Sequence, residues 1–325
     1  MKLRVAVLHG GRSGEHEVSL RSARSIMAGL DPERFEVVPF LISKEGRWSP
    51  HPILPEPGVN AGIDVVFPVL HGTFGEDGTI QGLLELADLP YVGAGVMASA
   101  IGMDKAVMKR LCAERGLPVV EYVIQWRGRL DPQEPLRAFG FPMFVKPANL
   151  GSSVGISKAA NGQALQAAME LAAQYDRKII VERAIAGREL ECSVLGNGDV
   201  MASQPCEIHP SREFYDYEDK YLLDQARFDL PAKLSPEATE EVRRLAVECY
   251  RAVECEGMAR VDFLLESATG RIYINEINTI PGFTSISMYP KMWEMSGLPF
   301  GRLLDRLIEL ALERHASRRA TRFSR

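Results

Sequence analysis

The chain has 325 residues and a mass of 36.0 kDa, more than one domain of about 150 residues would hold, so two or three domains sharing a site are expected. An apolar fraction of 46% and a charged fraction of 25% exclude a largely disordered, collagen-like or disulfide-scaffold protein. The net charge is −5, and the last twelve residues carry five arginines (Arg314, Arg318, Arg319, Arg322, Arg325) and no acid, which leaves 33 basic residues against 43 acidic ones elsewhere; such an acidic body argues against a broad nucleic-acid surface.

The chain starts with strand–helix alternation. Leu3–Leu8 and Phe35–Ile42 read as strands, and Glu15–Leu30 between them has apolar residues near helical spacing, ended by Asp31-Pro32. Ile63–Leu70 is a third strand, apolar throughout as a strand covered on both faces would be. This β-α-β order predicts a parallel sheet with helices on its faces and ligands beyond the carboxyl ends of its strands, at His9–Gly14 and His71–Gly78. Helices are predicted at Ala94–Gly102 and Asp104–Arg115. Val120–Trp126, Phe141–Lys146 and Lys178–Glu182 follow as strands, with a helix at Gln163–Tyr175. Glu189–Leu195 turns through Gly196-Asn197-Gly198-Asp199 into a partner strand. A polar aromatic loop at His209–Phe228, a helix at Ser235–Arg251, strands at Met258–Leu265 and Arg271–Asn278 and two terminal helices complete the chain.

No apolar run approaches the roughly 18 residues that a membrane-spanning helix needs. The amino terminus has too short an apolar stretch for a signal peptide, so a cytoplasmic location is expected, with neither membrane nor nucleic acid as a partner. The five cysteines (Cys112, Cys192, Cys206, Cys249, Cys255) show no C-x-x-C spacing and are expected to be reduced, mostly core, thiols. The arginine-rich end is expected to be solvated and frayed.

Three stretches carry chemistry. In the hairpin formed by Arg260-Val261-Asp262 and Glu276-Ile277-Asn278, strand alternation places Arg260 with Asp262, and Glu276 with Asn278. Folding at Ser267–Gly270 brings Asp262 within about a residue of opposite Glu276. Two carboxylates and an amide oxygen are hard ligands suited to Mg²⁺ or Mn²⁺ and poorly suited to zinc; a solvated face with an Arg–Asp pair fits the residues equally well. The second stretch is Lys146-Pro147-Ala148-Asn149-Leu150-Gly151-Ser152-Ser153-Val154-Gly155, a strand-end lysine before a loop of small residues. It could hold an anion through backbone N–H groups and hydroxyls, although on its own it reads more readily as a surface turn, and it lacks the order of a P-loop. The third, His71-Gly72-Thr73-Phe74-Gly75-Glu76-Asp77-Gly78, places a histidine and two acids among glycines that demand special backbone angles. Gly10-Gly11-Arg12-Ser13-Gly14 is no dinucleotide fingerprint, but it leads into a helix amino terminus that favours an anion.

Taken together, these stretches resemble the D-alanine–D-alanine ligases of the ATP-grasp superfamily. His9-Gly10-Gly11-Arg12-Ser13-Gly14-Glu15-His16-Glu17-Val18-Ser19 is similar to the family's first element. His71–Gly82 is similar to its second, and Arg260–Asp262 with Glu276-Ile277-Asn278-Thr279-Ile280-Pro281-Gly282 to its last. The resemblance runs from Val5 to about Leu312. It implies an α/β and α+β fold in which an N-terminal parallel-sheet, Rossmann-like pre-ATP-grasp domain precedes a two-part ATP-grasp fold. The segments are then 1–96 for substrate, 97–180 for the central ATP-grasp part, 181–315 for the C-terminal part with metal site and lid, and a disordered tail at 316–325.

The activity implied is ATP-dependent joining of two D-alanines, through a D-alanyl phosphate, for peptidoglycan precursors. By the same resemblance Lys105 and Lys146 hold ATP phosphates beneath a loop containing Gly151, Ser152 and Ser153. Glu182, Arg183, Ile185 and Glu189 line the adenine and ribose pocket, and Asp262, Glu276 and Asn278 bind two Mg²⁺ (or Mn²⁺), with Glu276 bridging. Arg260 and the Gly282 N–H flank the tetrahedral intermediate. Glu15 takes the first D-alanine's ammonium, His71 lies near its carboxyl group, and Ser287 and Met288 follow the turn that binds the second carboxylate. Phe214–Tyr221 resembles the family's lid: Lys220 would reach the γ-phosphate, and Tyr221 would link through Ser152 to Glu15. Arg183 stands where many members have lysine, which matters little if the contact there is through backbone groups. D-lactate or D-serine as acceptor, or a non-catalytic ATP-binding regulator, are the alternatives, and a homodimer is the family's habit.

Overall fold

The computed structural model describes residues 2–152, 154–209 and 227–322. Strand β1 (Leu3–Gly10) lies between β2 (Phe35–Ile42) and β4 (Val65–Pro68), parallel to both, and β3 (Trp48–Ser49) pairs antiparallel with the outer side of β2. A central strand must be apolar on both faces, and Val5, Ala6, Val7 and Leu8 are all inaccessible to solvent. Val5 and Val7 face α1 (His16–Gly29), while Ala6 and Leu8 face α2 (Thr79–Leu86). The third strand is four residues shorter than Ile63–Leu70, ending at Pro68; Leu70 instead packs into the core beside α2.

Helices α3 (Val96–Met103) and α4 (Lys105–Glu114) follow. Asp104 separates them and caps α4 by accepting from the N–H groups of Ala106 and Val107, 3.1 Å each, while also pairing with Lys178. This fixes Lys105 as the first residue of α4. The second sheet is antiparallel, in the order β5 (Tyr122–Trp126), β8 (Lys178–Arg183), β6 (Met143–Pro147), β7 (Ser157–Ala159). Helix α6 (Gly162–Tyr175), capped by Asn161, buries Leu165, Ala168, Met169 and Ala172 against it, and the short α5 (Gln133–Phe139) adds Phe139.

The third sheet is also antiparallel: β12 (Arg227–Asp229), β11 (Cys206–His209), β9 (Gly187–Leu195), β13 (Met258–Glu266), β14 (Ile272–Asn278), with β10 (Met201–Ala202) also on β9. Helix α7 (Pro236–Ala252), started by Ser235 as cap and Pro236 in its first turn, buries Val242, Leu245, Ala246 and Cys249 on this sheet. Helices α8 (Met288–Met295) and α9 (Phe300–Arg319) close the fold. All five cysteines are free and buried.

Packing departs from the expected segments in two places. The apolar side chains of α3 and α4, among them Ala98, Met108 and Cys112, share a core with α7 and the third sheet, not with the central one. The arginine-rich end is not frayed through Arg319. Helix α9 returns to the N-terminal sheet, where Leu303, Leu304 and Leu307 pack with Val5, Ile26 and Val65. There Arg314 is buried over the Tyr91 ring, 4.3 Å from its centroid, and donates to the carbonyl oxygens of Gly93 and Tyr91. Arg318 pairs with Glu85 and Arg319 with Asp88. The charge pattern looked like a solvated end because the acceptors are backbone oxygens more than 200 residues away.

Arg314→Ala should cost about 2–3 kcal/mol, since two buried carbonyls lose a charged donor, whereas Arg318→Ala should stay within about 0.5 kcal/mol as a surface change. Urea unfolding of both variants checks this; equal effects would contradict the buried role of Arg314.

Candidate active site

The third sheet's register creates the central feature. Asp262 on β13 lies directly across from Glu191 on β9 and from Glu276 on β14. Three carboxylates on adjacent strands, about 5 Å apart by sheet geometry, demand nearby positive charge. Arg260, two residues before Asp262 and on the same face, grips Asp262 with two hydrogen bonds of 2.7 and 2.6 Å and lies 3.2 Å from Glu191. These carboxylates hold the guanidinium pKa well above its ordinary value although burial opposes charge there. Lys105 reaches Glu276 at 3.2 Å and donates to the Leu150 carbonyl at 2.9 Å. Asn278 stands opposite Arg260, and its Oδ1 accepts from the Ile280 N–H at 3.0 Å. Asp262, Glu276 and Asn278 offer three hard oxygens with no sulfur or imidazole among them, a donor set that fits Mg²⁺ or Mn²⁺.

Two pockets adjoin this row and share Glu191 and Glu276. The first, about 110 Å³, lies under the N-terminal loops and is lined by Glu15, His71, Lys105, Ser152, Arg260 and Ser287 among others. Ser152 Oγ donates to Glu15, so the small-residue loop closes onto the amino end of α1. Gly72, at φ +74°, passes so near Glu15 that a Cβ would lie 2.6 Å from Oε2. A Cβ on Gly282 would meet Ser287 Oγ at 2.7 Å, and that hydroxyl accepts from the Thr284 N–H at 3.0 Å. Met288 lines the same pocket, with its sulfur 3.7 Å from Cys206 Sγ.

His71 is held on both ring nitrogens. Nδ1 lies 3.0 Å from the Ile280 carbonyl, which can only accept, so Nδ1 carries the proton; Nε2 is 3.2 Å from Ser22 Oγ. Burial favours the neutral ring, but Glu76, 3.7 Å from Nδ1, and the more distant Glu15 outweigh it and raise the His71 pKa. Burial also raises the Glu76 pKa, with Glu15 adding to the effect.

The second pocket, about 100 Å³, lies between the second and third sheets and is lined by Lys146, Ile156, Glu182, Arg183, Ile185 and Glu189 among others. Lys146 Nζ is 2.7 Å from Glu182 Oε2 and donates to Asn275 Oδ1 at 3.2 Å. The Arg183 guanidinium pairs with Glu121, at 2.6 Å, and Glu266, at 2.9 Å. Burial works against the Glu182 carboxylate, yet Lys109 and Lys146 bring its pKa down to about 2.

The structure therefore brings Glu15, His71, Lys105, Gly151, Ser152, Arg260, Glu276, Asn278, Gly282, Ser287 and Met288 to one pocket. Lys146, Glu182, Arg183, Ile185, Glu189 and Asp262 come to the other. Ser153, Lys220 and Tyr221, with the rest of the expected lid, lie outside the described residues. Sequence reasoning missed Glu191, Glu76, Lys109 and Ser22 as site residues. Glu191 had a signal, since strand alternation puts it on the face of Glu189.

A parallel-sheet domain delivering Glu15 and His71 to a cleft between two antiparallel sheets, with lysines and carboxylates on its walls, defines an ATP-grasp ligase. Residues 111–309 match the family described as D-ala D-ala ligase C-terminus, and residues 4–58 and 53–94 match D-ala D-ala ligase N-terminus. The chain belongs to the D-alanine–D-alanine ligase family. It is 72% identical over 325 residues, all of both chains, to a D-alanine–D-alanine ligase of Solibacter usitatus (strain Ellin6076). A solved structure of the D-alanine–D-alanine ligase from Coxiella burnetii superposes with a TM-score of 0.88 at 39% identity, covering 98% of this chain and 96% of that one. The D-Ala:D-Ser ligase VanG from Enterococcus faecalis superposes with 0.87 at 36% identity, covering 96% and 100%.

With its pKa depressed to about 2 from 4.5, Glu182 contributes stability that is complete above pH 4.5 and lost as pH falls toward 2. Glu182→Gln should be less stable at neutral pH and lose less stability on going from pH 5 to 3. Urea midpoints measured across that range check this; parallel curves for the two proteins would refute the assignment.

Proposed function

We propose that this enzyme joins two D-alanines into D-alanyl-D-alanine for peptidoglycan precursors, with ATP converted to ADP and phosphate. The reading rests foremost on Glu276, which lies at the junction of the two pockets beside Lys105. A nucleotide in the second pocket would point its phosphates at this junction, and an amino acid in the first would present its carboxylate there. The γ-phosphoryl group passes to that carboxylate, and the acyl phosphate is then attacked by the second D-alanine's amine. The C–N bond forms as the C–O bond to phosphate breaks, the amine's proton is lost, and phosphate leaves. Activation is required because a carboxylate oxygen is a very poor leaving group; the protein's task is positioning and charge neutralisation.

In this scheme Glu182, Ile185, Glu189 and the Arg183 backbone hold adenine and ribose, while Lys105 and Lys146 hold phosphates under Gly151, Ser152 and Ser153. Glu15 binds the first D-alanine's ammonium, with His71 near its carboxyl group, and Ser287 and Met288 stand where the second carboxylate binds. Arg260 and the Gly282 N–H face the oxyanion of the tetrahedral intermediate, where preorganised donors are most effective. Asp262, Glu276 and Asn278 would hold two Mg²⁺, or Mn²⁺, with Glu276 shared; the ions supply neutralisation of the phosphate oxygens. Lys220 and Tyr221 act from the lid, Tyr221 through Ser152 to Glu15, and exclude the water that would hydrolyse the acyl phosphate. The protein works in the cytoplasm as a homodimer, with no membrane or nucleic-acid partner. No described helix is long and apolar enough to cross a membrane.

Phosphate release from ATP should depend on D-alanine, and the product should be the dipeptide even with D-lactate and D-serine offered in competition. ATP binding without D-alanine-dependent release would remove the reading. Glu276→Gln should lower turnover by about a hundredfold or more, since even second-shell partners of metal ligands contribute 10–100-fold; near-normal turnover at limiting Mg²⁺ would contradict the metal assignment.

A further inference from the structure

Helix α4 carries a second lysine one turn beyond Lys105. Lys109 is entirely shielded from solvent, with Nζ 3.0 Å from Glu182 Oε1 and 3.5 Å from the Ile274 carbonyl. Glu182 Oε2 is 2.7 Å from Lys146. The buried carboxylate thus has one ammonium on each oxygen. Lys146 and Glu182 line the second pocket, but Lys109 is not part of its wall, so it has no contact to offer a ligand there.

A fully buried lysine is disfavoured, and burial lowers the Lys109 pKa below the ordinary lysine value even with Glu182 beside it. Charge counting supplies a use. A carboxylate paired with Lys146 alone would be stranded, charged and buried, if that lysine turned toward a phosphate. The two would therefore stay locked together, and Lys146 would be lost to the nucleotide. With Lys109 on the opposite oxygen, Glu182 remains neutralised whichever way Lys146 turns. The Lys109–Glu182–Lys146 group carries one net positive charge, and only its Lys146 end faces the pocket.

We propose that Lys109 is a positioning residue of the nucleotide site, holding Glu182 so that Lys146 is free to lend its charge to a phosphate. This inference rests on the nucleotide reading of Lys146 and Glu182 given above. The experiment compares binding of Mg²⁺ with a non-hydrolysable ATP analogue to the full chain by calorimetry, alongside steady-state KM values for ATP and D-alanine. Lys109→Met should weaken analogue binding and raise the ATP KM by about tenfold, or 1.4 kcal/mol, while the D-alanine KM and kcat at saturating ATP stay within about twofold. Lys109→Arg keeps a cation beside Glu182 and should hold binding to within about threefold of the parent, which a loss of the charge alone would not.

Parent-like binding by Lys109→Met, or Lys109→Arg binding no better than Lys109→Met, overturns the proposal. So does a rise in both KM values together, which a merely structural lysine would produce. If Lys109→Met does not fold, Lys109→Gln takes its place: a tenfold loss of analogue affinity with the D-alanine KM unchanged supports the brace, and near-parent affinity overturns it. Lys146→Ala serves as the control. Unchanged affinity there would overturn the nucleotide reading and this proposal with it, whereas weakened affinity beside a parent-like Lys109→Met overturns the brace only.

Discussion

Carboxylate crowding is the constraint around which this molecule is arranged. Glu191, Asp262 and Glu276 face one another across β9, β13 and β14 by backbone register, and Glu182 and Glu189 lie close by on the wall of the second pocket. Acids held that close in a partly dry cleft repel one another unless cations share the space. The cations in contact with them come from several elements, α4 supplying both Lys105 and Lys109. Arg260 rises from β13 itself, Lys105 from the first turn of α4, and Lys146 from the end of β6. The cleft is therefore a place where positive charge is required by the protein's own anions, and where a divalent ion or a phosphate changes which partners pair.

That requirement explains several details of packing that look unrelated. Asp104 caps α4 and pairs with Lys178, which pins the helix against the central sheet and aims Lys105 across the gap toward Glu276. Lys105 is also tied through its backbone, whose N–H donates to the Ala148 carbonyl at 3.0 Å. Because α3 and α4 share the core of the third sheet, Lys105 moves with Glu276, whereas Glu182, the partner of Lys109, lies on β8 of the second sheet. Only Lys146, on the second sheet, reaches in from the other side. A relative displacement of the two sheets would thus alter the Lys146–Asn275 and Lys109–Glu182 contacts while leaving Lys105 beside Glu276.

Much of this was legible in the chain itself. The hairpin at Arg260–Asn278 could be placed because strand alternation and one turn fix both faces, and the observed register makes Asp262 and Glu276 direct partners. Parallel strands at either end of α1 followed from apolar runs separated by an amphipathic segment. What stayed hidden depends on distant acceptors. Lys109 sits in a helix whose charged residues look solvent-facing, and only the approach of β8 from 73 residues away makes it a buried partner of Glu182. Arg314 likewise meets carbonyl oxygens, which leave no mark on a sequence. Ser22 is hidden for the same reason, made relevant by a histidine 49 residues away.

Ser22 also shows how the N-terminal domain is locked to the Ile280–Phe283 turn. Its hydroxyl accepts from the Phe283 N–H at 3.2 Å and meets His71 Nε2 at 3.2 Å, while His71 Nδ1 donates to Ile280. Phe283 packs edge-on to Phe67 of β4, and α9 completes the same core from the far end of the chain. The turn Ile280–Phe283, which carries the Gly282 N–H, is thereby tied to the N-terminal domain by hydrogen bonds on one side and apolar burial on the other. In the oxyanion role proposed for it, the Gly282 N–H would need its position set before charge develops. The C-terminal helix, although remote from the chemistry, belongs to the framework that sets it.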